Sequence, residues 1–231
     1  MEKRRLVNIF IIVFIDLLGF GLILPLLPFY ADTYGASATL VGLLTAVYPG
    51  FQLLGAPFLG RLSDRFGRRP ILLISIFGTF LGFLVLGVAD PLGRWTAGMI
   101  GLPVNATILG LLFLSRSIDG LTGGNISVAQ AYITDITDEE NRARGLGLVG
   151  AAFGLGFVLG PAIGGVTSRW GYHVPAYIAA GLSAVNLIMV ALWLPESLPA
   201  SERVEEFNRQ ATDIITQYHF APTETSRQNL P

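Results

Sequence analysis

The sequence predicts an all-α membrane protein whose six transmembrane helices form two inverted three-helix repeats. Three observations carry that expectation. The 231 residues are 52% hydrophobic and only 13% charged, against about 25% charged in an ordinary soluble domain, and the mean hydropathy is +0.60. Six apolar runs each approach or exceed the roughly 20 residues a helix needs to cross a bilayer. A pattern in the first half of the apolar body recurs in the second half at a shift of 104 positions.

The runs are Leu6–Pro28, Leu40–Leu59, Ile71–Ala89, Ala106–Ile133, Leu146–Val166 and Val174–Leu194. Polar or turn residues fill each interval. As soluble helices they would be apolar on every face, and a core of this size could not cover six of them. Outer-membrane strands would alternate in segments of about 10 residues, and these runs do not. The first run follows Lys3, Arg4 and Arg5 but is too long for a signal-peptide core and carries Asp16, Pro25 and Pro28. It is read as a retained helix, with Pro25 kinking its outer half.

Arg and Lys set the orientation. They cluster before the first run, between runs two and three (Arg61, Arg65, Arg68, Arg69) and between runs four and five (Arg142, Arg144), whereas the other side holds Arg94 and Arg169. Both termini are therefore expected in the cytoplasm, with the chain in the plasma (inner) membrane. Residues 1–195 read as the six-helix domain. Residues 196–231 read as a polar cytoplasmic tail holding nine charged residues. Within it Val204, Phe207, Ala211, Ile214 and Tyr218 follow helical spacing, so a short amphipathic helix is expected there.

The repeat aligns Ala56–Gly67 with Gly160–Gly171. Pro57, Gly60, Arg65 and Gly67 coincide with Pro161, Gly164, Arg169 and Gly171, and an aromatic precedes the final glycine in both. Asp16 and Asp119 correspond at a shift of 103. An odd number of spans per unit inverts the second unit, a signature of secondary transporters.

Four places carry candidate chemistry. The loop after run two, Gly60-Arg-Leu-Ser-Asp64-Arg65-Phe-Gly67-Arg68-Arg69-Pro70, sets an acid among arginines. Gly60 would permit close approach of a loop or helix, and Asp64 would pair with arginine or cap a helix. Run four carries Arg116 and Asp119 on one helix face. Charges at mid-bilayer are costly unless paired or wet, so a structural salt bridge and a cavity-lining helix both stand. Asn125 and Gln130 continue the polar surface. Asp16 is the lone ionisable group inside run one. A carboxylic acid in an apolar surround can load and release a proton, or it can be a structural partner of Arg116. In run five Gly156, Gly160 and Gly164 recur every four residues, with Pro161 and Gly165 beside them, a smooth stripe for tight helix packing.

The loop from Gly60 to Arg69 resembles the cytoplasmic motif between helices two and three of the major facilitator superfamily, Gly-x-Leu-(Ala/Ser)-Asp-Arg-x-Gly-Arg-(Arg/Lys), at every position. The run-five pattern Gly156-x-x-x-Gly160-Pro161-x-x-Gly164-Gly165 resembles that of proton-coupled drug antiporters within the superfamily. The resemblance implies one six-helix half of a major facilitator fold. It implies a cytoplasmic latch at Asp64, Arg65 and Arg68, with Asp135 as a partner of Arg65, Arg68 or Arg69. It also implies a proton-coupled role for Arg116 and, as in tetracycline exporters, for the acid Asp16. Asp119 departs from the family, which usually has Gln there. Leu194-Pro195-Glu196-Ser197 resembles the family's exit from helix six, and the likeness is expected to end near residue 198.

The function implied is proton-coupled efflux of small amphipathic compounds such as drugs or tetracycline. The expected partners are that substrate, protons and the lipid bilayer, with a homodimer or a separate second half completing the pathway. The alternative is a truncated, non-transporting membrane protein or binding subunit. No nucleic-acid partner is expected at a net charge of −1. Neither catalysis nor a cofactor is expected. There is no Cys, no nucleophile–base set is evident, and neither His173 nor His219 has neighbours suited to a metal. Gly145-Leu-Gly147-Leu-Val-Gly150 spells a dinucleotide fingerprint but lacks the strand it requires.

Overall fold

A computed structural model of the chain describes residues 2–199, Ser201 and Arg203. The expected amphipathic helix of the tail lies outside them. Among the described residues there are nine α-helices: α1 (Glu2–Ile23), α2 (Leu27–Asp32), α3 (Ala38–Phe66), α4 (Arg68–Gly87), α5 (Ala89–Ile100), α6 (Val104–Thr122), α7 (Asn125–Ile136), α8 (Glu139–Thr167) and α9 (His173–Trp193). They build six segments long and apolar enough to cross a membrane. Spans one and four are each made of two helices, α1 with α2 and α6 with α7.

Local chemistry explains most boundaries. The chain leaves helix two residues before Pro25, as proline disfavours a helical predecessor, and resumes at Leu27. Ser37 caps α3, its hydroxyl accepting from the Leu40 amide at 3.3 Å. Asp138 caps α8 through the Asn141 amide at 2.9 Å, and Glu139 and Glu140 occupy the favourable first turn. The 135–144 segment between runs four and five is therefore largely helix. The loop between runs two and three is likewise almost absent. Helix α3 persists to Phe66 and α4 begins at Arg68, so Gly67 alone makes the turn at φ 105. A second correction is α5, which the sequence reading left as a connection and which packs back on α6.

The two three-span units exchange partners. Span one packs on α8 as span four packs on α3, while α4 and α9 pack on each other. The aligned glycines adopt one conformation, φ 105 and ψ 156 at Gly67, φ 111 and ψ 151 at Gly171. Only glycine takes that backbone without steric cost, so the shared geometry supports the repeat seen in the sequence.

Two apolar cores bracket a polar layer. One gathers Ile9, Ile12, Ile76, Val128, Tyr132 and Val190, the other Leu22, Phe83, Leu112, Ala176 and Ala180. Thr79, Ser115, Arg116, Asp119, Asn125, Ser183 and Asn186 are buried at chain positions between the two cores, and Asp16 is buried at the same level.

At the end of the bundle away from the arginine cluster the Tyr34 hydroxyl donates to Asp90 at 2.9 Å and Arg94 pairs with the same carboxylate at 3.0 Å. Arg94 holds the Asp90 carboxyl below its ordinary value, aided by Tyr34. Burial first, and then Asp90, pushes the Tyr34 phenol up to about 12, so it remains a donor at any physiological pH. A carboxylate depressed in the folded state stabilises above its unfolded value, about 3.9, and loses that contribution as pH falls through the lower folded one. Thermal melts between about pH 5 and pH 3 should therefore fall less steeply for Asp90→Asn than for the parent chain. Parallel curves would show that this pair contributes nothing, a common outcome for exposed ion pairs.

Candidate functional site

The broken fourth span organises the polar layer. At Gly123–Gly124 the helical ladder stops and restarts at Asn125. In a membrane the carbonyls at the break need partners. Ser75 and the Gly124 amide donate to the Thr122 carbonyl, Gln52 donates to Gly123 at 2.8 Å, and Gly124 takes the Val128 amide of α7 at 3.0 Å with the Ser127 hydroxyl at 2.8 Å. The restart also aims Asn125 at span one, where its amide donates to Asp16 Oδ2 at 2.5 Å. The other Asp16 oxygen is buried without a hydrogen-bond partner among the described residues.

Arg116 and Asp119 pair with each other at 3.0 Å, both side chains almost wholly buried. Ser115 accepts from Arg116 at 3.2 and 3.4 Å and its hydroxyl donates to the Gly82 carbonyl at 2.9 Å. The guanidinium also lies 5.3 Å from the Phe83 ring centre. Asp16 is thus held by Asn125 rather than by Arg116, while Asp119 is near enough to act on it electrostatically.

Two openings lead to this layer. A cavity of about 270 Å³ is lined by Phe20, Leu27, Tyr48, Gln52 and Arg116. A smaller one of about 90 Å³ shares Phe20, Tyr48 and Gln52 with it and reaches Asp16 and Phe153. Phe20 stacks obliquely on Tyr48, ring centres 4.9 Å apart. Arg116 at one end and aromatic walls suit an amphipathic guest of modest size. On its far side Asp16 borders a void of about 10 Å³ with Asn186. Asn186 anchors α9 to the Ile12 carbonyl at 2.9 Å, and its own amide oxygen lacks a partner among the described residues. Sequence reasoning missed Gln52, Tyr48 and Asn186, although each is a polar group set in an apolar run. Gln130 lies outside the buried layer. It is exposed on α7, because five residues past Asn125 is about 140° around a helix.

A second polar centre sits where α3, α4, α7 and the exit from α9 meet. Arg68 is buried there and donates to Asp64, to Ser63 at 2.6 Å and to Asp135 at 3.0 Å. Of the three arginines offered to Asp135, the structure selects Arg68. Glu196 caps α4, accepting from the Arg68 and Arg69 amides at 2.8 and 3.3 Å, and Ser197 donates to Asp135 at 2.8 Å. Ser63, Glu196 and Ser197 were not anticipated as members. Arg69 turns away and donates to the Ala191 carbonyl, and Arg65 lies over the Phe66 ring at 5.4 Å. Gly60 meets open space where a close approach was expected.

The glycine stripe of α8 presses on α1. A side-chain carbon added at Gly160 would sit 2.6 Å from the Gly21 backbone, one at Gly156 2.9 Å from Leu17, and one at Gly21 2.6 Å from the Gly156 carbonyl. Gly164 meets the Leu22 carbonyl in the same way. Gly165 does not belong to the packed face and has open space around it, since one residue from Gly164 is about 100° around the helix.

Comparison with known proteins agrees with this architecture. The Major Facilitator Superfamily profile matches residues 9–226, so the family likeness runs well past residue 198, where it was expected to end. The chain is 37% identical over 190 residues to the class B tetracycline resistance protein of Escherichia coli, covering 81% of this chain and 43% of that protein. It is 30% identical over 192 residues to multidrug resistance protein 2 of Bacillus subtilis (strain 168), covering 83% and 44%. Among solved structures the human organic anion transporter MFSD10 (TETRAN) superposes with a TM-score of 0.72 at 27% identity, covering 87% of this chain and 50% of that one. The chain spans about half the length of the curated relatives it matches. With its six apolar spans, its polar layer and this profile match, the chain belongs to the major facilitator superfamily.

Proposed function

We propose that this chain forms one wall of a proton-coupled export pathway for small amphipathic compounds, of the tetracycline or multidrug kind its relatives are named for. The observation that carries the reading is Asp16. It is a buried carboxylate with one oxygen held by Asn125 and the other unpartnered among the described residues, beside a cavity that continues to Arg116. Proton gain at Asp16 weakens its hold on Asn125, the residue at which span four restarts. Proton traffic is thereby coupled to the broken helix that lines the cavity. Asp119 and Arg116 set the field in which that exchange happens, and Arg68 with Asp64 and Asp135 gates the opposite, cytoplasmic end.

The other wall comes from a second six-helix body. Leu53, Leu54 and Phe58 of α3 and Val158 of α8 are largely exposed, which supports such a partner on that side. Both termini face the cytoplasm of the inner membrane in this reading, in line with the arginine bias.

Vesicles test it. The full chain is reconstituted alone and together with a six-helix C-terminal half from a relative, and an imposed pH gradient drives uptake of tetracycline-like and cationic aromatic dyes. Uptake by the chain alone indicates a homodimer, and uptake only with the added half indicates a split pathway. Silence in both favours the non-transporting alternative. In whichever assembly is active, Asp16→Asn should reduce gradient-driven uptake to background while dye binding persists. Coupling that survives this change removes Asp16 from its assigned role.

A further inference from the structure

A cleft lies away from the polar layer, at the end of the bundle that carries the arginine cluster. It measures about 440 Å³ and is walled by Arg4, Arg5 and Asn8 of α1, Arg69 of α4, and Leu192 and Trp193 at the end of α9. Three arginines from two different helices line it, and no carboxylate does so among the described residues. The nearby Glu196 is already engaged by the Arg68 and Arg69 amides and by Arg203.

The walls are built. Asn8 donates to the Trp193 carbonyl at 3.2 Å, and Arg69 donates to the Ala191 carbonyl. Both bonds satisfy orphan carbonyls of the last turn of α9, and they hold two of the polar walls in place. The Arg69 Nε is buried with no hydrogen-bond partner among the described residues. Leu192 and Trp193 flank the cleft and are 73% and 59% exposed. An exposed tryptophan at the end of a span belongs at headgroup level. The cleft therefore has a cationic floor facing the aqueous boundary and an apolar lip facing acyl chains.

The geometry points to a binding site for a phosphate group, that of an anionic phospholipid headgroup, between α1, α4 and α9. Guanidinium groups recognise phosphate oxygens through paired hydrogen bonds, and basic pockets between spans on the cytoplasmic side take anionic headgroups. General positive-inside bias explains arginines near this face, but it does not gather three of them around one cleft. A lipid held here would tie the starts of spans one and three to the end of span six. This inference rests on the membrane-spanning reading of the helices and is independent of what the pathway carries.

Native mass spectrometry of the full chain in detergent, titrated with phosphatidylglycerol and with phosphatidylcholine of the same acyl chains, tests it. Phosphatidylglycerol should bind at least about tenfold more tightly, and Arg4→Gln, Arg5→Gln and Arg69→Gln should each weaken it about fivefold. Arg4 is exposed, so its substitution leaves the packing intact. Arg144→Gln, an exposed arginine on α8, should change nothing. Equal binding of the two lipids, unchanged binding in the three variants, or an equal loss in Arg144→Gln overturns the site. Inorganic phosphate at about 10 mM distinguishes the source of the phosphate. If it fails to displace phosphatidylglycerol, the lipid assignment stands, and if it displaces it fully, the lipid assignment falls in favour of free phosphate.

Discussion

Gly160→Leu should prevent α1 and α8 from closing. Any side-chain carbon at Gly160 would lie 2.6 Å from the Gly21 carbonyl carbon and 2.7 Å from its α-carbon. These are backbone atoms of a packed helix and cannot rotate away. Overpacking a core costs about 1–3 kcal/mol, and this site belongs at the upper end because the clash is backbone against side chain. Membrane helices also lack a hydrophobic drive to reassociate after they separate, since the lipid alternative is just as apolar. The expected result is a loss of about 3 kcal/mol, read as a lower melting temperature in mild detergent and poor recovery of the monodisperse species. Gly165→Leu and Gly154→Leu on the same helix, both facing open space, should leave the melt where it is. Equal tolerance of all three would sink the assignment of the stripe to the α1 crossing.

The second large effect belongs to Arg116. Its side chain and that of Asp119 are 2% and 3% exposed and pair at 3.0 Å. Removing one member of such a pair strands the other, at about 3–5 kcal/mol. Arg116→Leu should therefore destabilise strongly, and part of the loss should be recovered at lower pH, where Asp119 can take a proton. The double variant Arg116→Leu with Asp119→Leu should recover most of it, because two well-packed apolar groups replace a buried ion pair at little net cost. A cycle of the two singles and the double, measured by unfolding in detergent, isolates the coupling. If the double variant is as unstable as Arg116→Leu, the packing around Phe83 and Ser115 matters more than the pair. In the proposed pathway the double variant is a stable protein that has lost transport, which separates folding from function.

These two sites show how unevenly the molecule could be read from its residues. The stripe was legible because glycines four apart fall on one helix face whatever the surroundings. The Arg116–Asp119 pair was legible for the same reason, three residues being neighbours on a helix. Arg68 was recognisable as a latch residue, but its selection by Asp135 over Arg65 and Arg69 depends on how α7 meets α4. Glu196 reaches Arg68 across 128 residues and Ser197 reaches Asp135 across 62, and nothing local in their sequence assigns them to that centre. Gln130 lies about 140° around α7 from Asn125, a separation that spacing along one helix already carries. The break at Gly123–Gly124 instead resets which residues of α6 share a face with those of α7.

The sequence by itself determined the number of spans, their rough limits, the repeat, and the family motifs. Those depend on composition and on spacing along one chain, and burial in lipid demands them locally. The tertiary structure decided where the long apolar runs break, which acid meets which base, and which carbonyls are rescued by Ser75 and Gln52. It also decided that Asp16 faces Asn125 rather than Arg116. Partners of this kind are set by the approach of helices distant in sequence. A polar group buried in an apolar span takes whichever complementary group the packing brings within hydrogen-bond reach.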